Sequence, residues 1–121
     1  MNSTPDSAAD FVFYQVDLKI NSDVILDFDD WLKDHVQAML SLPGFLSASV
    51  DIPDKTITFY QYRTVKFRLN TKEDLDNYFD NHAERMRAEV DKRFKSSYSA
   101  KRKVFVIPRD QANKAYSQKS G

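Results

Sequence analysis

"FVFYQVDLKINSDVILDFDDWLKDHVQAMLSL", residues 11–42, changes its hydrophobic period once, and that change decides the fold. Over 11–20 the residues alternate. Val12, Tyr14, Val16, Leu18 and Ile20 share one side, and Gln15, Asp17 and Lys19 share the other. A period of two predicts a half-buried strand. From residue 21 the period lengthens, and Val24, Ile25, Phe28, Trp31, Leu32, Val36 and Met39 form one stripe at helical spacing. Ser22 is the expected N-cap, with acids in the first turns where the helix dipole favours them. "LPG" at 42–44 stops the helix, because proline cannot continue it and glycine supplies the turn.

Working outward, residues 1–10 are small and polar and read as a disordered lead. "FLSASVDI" (45–52) alternates again, with Leu46, Ala48, Val50 and Ile52 expected inward. "PDK" (53–55) is a turn. "TITFYQYRTVKFRL" (56–69) reads as a long strand, with Ile57, Phe59, Val65, Phe67 and Leu69 of one parity and Tyr60 and Tyr62 of the other. Its length predicts a bulge near 61–63. A second helix is expected over 70–94, capped by Thr71 with Asp74 at the capping-box position. Its stripe is Leu75, Phe79, Met86, Val90 and Phe94. "YSAKRKVFVI" (98–107) is the last strand, and 108–121 has no period and reads as a flexible tail.

The order β-α-β-β-α-β over 11–107 predicts one ferredoxin-like α+β domain. That plan is a four-stranded antiparallel sheet with two helices on one face. In it the first and last strands are usually neighbours or central, and the second is an edge. The expected core is Val16, Leu18, Phe28, Leu32, Met39, Val50, Phe67, Leu75, Phe79, Met86 and Val104. The uncovered sheet face would carry Phe11, Phe13, Tyr60 and Tyr62, an aromatic load suited to a second copy, a ligand or single-stranded nucleic acid.

Composition fits this plan. A chain of 121 residues, 41% hydrophobic and 13% aromatic, suits one domain with a real core. No cysteine is present, which removes disulfides, thiol nucleophiles and thiolate zinc sites and fits a reducing compartment. No apolar run approaches the ~20 residues of a membrane span, and the start lacks the basic and apolar regions of a classical signal peptide. A cytoplasmic protein with no membrane contact is expected; secretion by a signal-peptide-independent route would leave no such trace. The net charge is zero but unevenly spread. Residues 1–54 hold ten Asp and two Lys, giving −8, and residues 55–121 hold eight acids and sixteen Lys/Arg, giving +8. Such halves can offset each other within one fold or between two copies.

Three stretches also resemble a known group: "LPGF" (42–45), "LDNYFDNHAERMRAE" (75–89) and "RFKSSYSAKRKV" (93–104). They are similar to a small bacterial family catalogued as a domain of unknown function, with an LPGF turn and a helix of the type YxxxHAxxMRxEGxxRF. The resemblance covers roughly residues 13–105 and departs at Val90, where the family has glycine. It implies a ferredoxin-like fold related to dimeric α+β barrels, and it implies no activity.

The candidate sites are three. His35 and His82 lie on the two helical stripes and could meet in a pocket. The functional reading is a proton relay; the plainer one is two packed histidines. No metal spacing such as HExxH occurs, so neither a metal nor a cofactor is expected. Asp27, Asp30 and Asp34 lie along one outer helix face and form an acidic surface. Arg85, Arg87, Arg93, Lys101, Arg102 and Lys103 form a basic segment with aromatic neighbours, though without an RNA-recognition signature. The leading expectation is a non-catalytic interaction module, a regulator or bacterial effector that binds and blocks a partner protein. It would act through Asp27, Asp30, Asp34, Tyr60 and Tyr62. The alternatives are a small dimeric-barrel enzyme with a pocket of Tyr14, Tyr60, Tyr62, His35 and His82, and RNA binding through 85–103. A homodimer would set the acidic half of one copy against the basic half of the other.

Overall fold

The computed structural model describes residues 10–108. The lead over 1–10 and the tail over 108–121 fall outside it, save for their inner ends. The elements are β1 (Phe11–Asn21), α1 (Ile25–Leu40), β2 (Phe45–Asp51), β3 (Tyr60–Leu69), α2 (Lys72–Asn81), α3 (Ala83–Phe94) and β4 (Tyr98–Ile107). The sheet order is β2-β3-β1-β4, and all three pairings are antiparallel. This is the ferredoxin-like α+β plan, with β1 central beside β4 and β2 on an edge. Among the described residues no helix is long and apolar enough to cross a membrane.

The alternation in β1 works as read. Val12, Tyr14, Leu18 and Ile20 are buried against the helices. The α1 stripe is buried too, with Phe28 at 0% exposure. Ser22 is not the N-cap of α1. It opens a short 3-10 turn, donates its backbone N–H to Phe59 O (2.9 Å) and donates its hydroxyl to Thr58 O (2.6 Å). The entry to α1 is thereby tied to the β2–β3 connection. Thr71 does cap α2, its side chain accepting from the Asp74 N–H at 3.0 Å.

The LPGF turn has a backbone reason. Gly44 has φ +83°, in the left-handed region that favours glycine. A Cβ there would also collide with the Asp74 side chain. The Gly44 carbonyl accepts from Asn70 N–H at 2.8 Å, so this turn also holds the start of the second helical segment.

Four expectations are corrected. The bulge lies in β2, between Phe45 and Ser47, and not near 61–63. It turns Phe45 into the core and Leu46 out. Second, β3 begins at Tyr60 and not at 56. β2 ends at Asp51, so the residues before Tyr60 have no strand to pair with, and Phe59 is 88% exposed.

Third, the helix over 70–94 breaks at His82, whose φ of −131° leaves the helical range. The hydrogen bonds continue across it, from His82 N–H to Tyr78 O (2.9 Å) and from Met86 N–H to His82 O (3.0 Å). The buried aromatic before the break is Tyr78, and Phe79 is 37% exposed. Fourth, Val50 and Val104 have the helix-side parity but are exposed, because they sit on edge strands where the helices leave them uncovered. Arg63 shares the inner parity of Val65 and Phe67. It is buried because Asp29 of α1 accepts from its Nε and Nη2, each at 3.0 Å.

Candidate functional site

A cavity opens between the sheet and the helices. Its walls are apolar: Val16, Leu18 and Val65 from the sheet, Trp31, Leu32 and Met39 from α1, Met86 and Val90 from α3. Six polar side chains line it, namely Tyr14, His35, Tyr78, Arg87, Tyr98 and Arg102. The enclosed free space is about 40 Å³, and about 490 Å³ when the open mouth is counted. The enclosed part holds a few waters, each needing roughly 10–15 Å³ on this measure. A larger ligand would have to use the mouth.

The period of each element explains the set. Tyr14 has the inward parity of β1. Trp31 and His35 are one turn apart on α1, and their rings stack at 4.5 Å and 20°. Arg87 follows the buried Met86 on α3, and its Nη2 donates to the Tyr14 hydroxyl at 3.4 Å. Arg102 pairs with Val16 and shares its parity with Tyr98 and Ala100, so it lies on the helix side of β4.

Two of the residues that line this cavity each hold a buried polar atom without a hydrogen-bond partner: His35 Nδ1 and Arg87 Nε. Such atoms are uncommon and costly, about 1–3 kcal/mol each. Burial, aided by the Arg102 charge, pulls His35 down to about 4, so the imidazole is neutral at pH 7. Burial likewise pushes the Tyr78 phenol well above its ordinary value, reinforced by Tyr14. Tyr98 is raised to about 12 by burial and by its hydrogen bond to Asp91. Burial opposes the charge on Arg87, but the Tyr14 hydroxyl together with Tyr78 and Asp91 outweighs it and the guanidinium remains a cation. No carboxylate lines the cavity. The set is rich in donors and offers one imidazole nitrogen as acceptor, which is chemistry for holding an anion and receiving a proton. Among the described residues no three His, Asp or Glu side chains cluster as metal ligands.

The anticipated sites are redistributed. His35 lines the cavity; His82 does not. It sits at the helix break, its Nδ1 3.3 Å from Arg85 Nη2. Tyr60 and Tyr62 pair with Asn21 and Lys19 on the opposite sheet face, so they cannot share a pocket with His35. The basic segment divides among three surfaces. Arg85 and Arg93 are exposed on α3, Arg87 and Arg102 line the cavity, and Lys101 and Lys103 lie on the outer sheet face. Asp27, Asp30 and Asp34 are exposed on α1. The parity of Tyr98, Ala100 and Arg102 was the signal for Arg102; the signal for Tyr78 was its place three residues after Leu75, one helical turn on.

Solved structures share this arrangement. A conserved protein from Methanosarcina mazei has 10% identity, with 83% of this chain and 94% of that one covered and a TM-score of 0.62. SnoaB, a cofactor-independent oxygenase from Streptomyces nogalater, has 10% identity, coverage of 80% and 92%, and a TM-score of 0.60. A heme-degrading protein from Mycobacterium tuberculosis has 14% identity, coverage of 82% and 92%, and a TM-score of 0.57. At these identities the likeness is one of fold. No curated protein matches the sequence. The expectation of a non-catalytic module acting through an acidic helix is corrected here, because solved proteins that share the fold include an oxygenase and a heme-degrading protein, and the unpartnered polar atoms belong to residues that line a cavity. A model of the family described as "Domain of unknown function (DUF4286)" matches residues 11–107, and the chain belongs to that family.

Proposed function

We propose that this chain is a small enzyme that binds its substrate between the helices and the sheet and removes a proton from it. The observation that carries this reading is the pair of buried, unpartnered atoms, His35 Nδ1 and Arg87 Nε, lining one apolar cavity. Arg87 and Tyr14 hold the anion that forms, and its charge offsets the burial and the Arg102 repulsion that otherwise keep the proton off His35. The likeness to a cofactor-independent oxygenase supports dioxygen as the co-reactant. The experiment is dioxygen uptake with a panel of polycyclic phenols. We expect uptake with at least one, reduced about 100-fold or more in His35→Gln. Undiminished uptake in that variant removes His35 as the base. No uptake with any member removes the oxygenase reading.

The same reading includes a homodimer through the uncovered sheet face, the arrangement of dimeric barrels. That face carries Phe11, Phe13, Tyr60, Phe105 and Ile107, with Lys19 over the Tyr60 ring (4.1 Å) and Lys66 over Phe13 (5.6 Å). Its cations are Lys19, Lys66, Arg68, Lys101 and Lys103, against Asp17 and Asp51, so five minus two leaves +3. Two such faces are alike in charge, so an acidic half cannot meet a basic half there. Association should therefore strengthen with salt, which screens repulsion between the faces. Light scattering at low and high salt checks this. One chain mass under both conditions would exclude the dimer.

A further inference from the structure

We infer that the cavity between α1, α3 and the sheet is a binding site for the anionic head of a planar aromatic acid, a carboxylate or a phenolate. This rests on the enzyme reading of the same cavity and names the substrate class. The cavity contains two guanidinium groups and no carboxylate, so its fixed charge is uncompensated within its own walls. Arg87 uses Nη2 on Tyr14 at 3.4 Å and leaves Nε buried with no acceptor. A buried N–H on a cation without an acceptor is among the costlier arrangements in a protein. An oxygen anion beside it would satisfy the donor and the charge together. Arg102, on the exposed edge strand, stands at the mouth and adds a second positive charge on the path inward.

The remaining walls fix the body of the ligand. Trp31 and His35 are stacked at 20° and present a flat surface, and the other lining groups are mostly apolar. Aromatic rings pack well on such surfaces, with their polar atoms confined to one end. Asp91 on α3 accepts from the Tyr98 hydroxyl and its charge reaches Arg87, but it is not among the lining groups and gives Arg87 Nε no acceptor.

The test is calorimetric titration of the full chain with 2-naphthoate and with the isosteric neutral 2-naphthamide. We expect naphthoate to bind at least 10-fold more tightly. Arg87→Met should abolish the preference, Arg87→Lys should restore part of it, and Arg85→Met, which removes an exposed cation from the same helix, should leave it intact. Trp31 is the sole tryptophan and lines the cavity, so its fluorescence should respond to binding. Equal binding of the two probes, no binding of naphthoate at millimolar concentration, or a preference lost equally in Arg85→Met would overturn the assignment. Discrimination with no dioxygen uptake would keep this site and remove the oxygenase reading; uptake with no discrimination would do the reverse.

Discussion

Replacing Phe28 with alanine is expected to cost about 3–5 kcal/mol in unfolding free energy, the usual range for deleting a fully buried aromatic ring. Phe28 is 0% exposed, and its ring centroid lies 5.3 Å from Trp31, 4.8 Å from Phe94 and 5.7 Å from Tyr98. The deletion would leave a void where α1, α3 and β4 converge, and two of those three neighbours, Trp31 and Tyr98, line the candidate cavity. The void would therefore loosen the site as well as the core. Phe79→Ala is the matched comparison. Phe79 meets Tyr14 edge-on at 5.4 Å and Tyr78 at 5.5 Å but is more than a third exposed, so the expected loss is only about 1 kcal/mol. Urea denaturation of the two variants decides the matter. A loss for Phe28→Ala no larger than that for Phe79→Ala would show that the helices do not close over the sheet as described.

The second large effect is a dependence of stability on pH. His35 falls from 6.5 to about 4 because burial disfavours the imidazolium and Arg102 repels it. The unfolded chain therefore binds this proton more readily than the folded one, and stability rises with pH. The contribution is full above about pH 6.5 and is lost progressively as pH falls toward 4. The fall from 6.5 to about 4 corresponds to about 3 kcal/mol over that window. Arg87, Arg102, Tyr98 and Tyr78 share the cavity with His35, and no acid among the lining groups would rescue the imidazolium. His35→Phe keeps a flat ring against Trp31 and removes the titration. Its unfolding free energy should stay nearly level between pH 6.5 and 4, where the parent chain weakens. Superimposable pH profiles for the two proteins would mean that His35 is not held neutral by the fold. Asp17 does not confuse this window. Burial raises its pKa, but hydrogen bonds from Gln15, Thr64 and Lys103 outweigh that and hold it below the usual carboxylate value.

What the sequence determined by itself was the set of elements and their order. One change of period at residue 21, and its return after LPGF, were enough for the ferredoxin-like plan, because periodicity is a local property that burial on one face imposes directly. His35 as a pocket residue was legible on the same grounds. Tertiary structure alone decided which groups share a site. The β2 bulge exchanged Phe45 for Leu46, a shift too small to leave a period, and packing chose Tyr78 over Phe79 where a helical spacing of three or four from Leu75 allows either. Arg87 and Arg102 are far apart along the chain and looked like members of one basic surface. They face the same cavity only because α3 packs on the sheet whose edge strand is β4. Charge along a chain reports solvation; charge inside a cavity depends on which elements close around it. That closure set an unpartnered guanidinium N–H and a neutral imidazole into one apolar space.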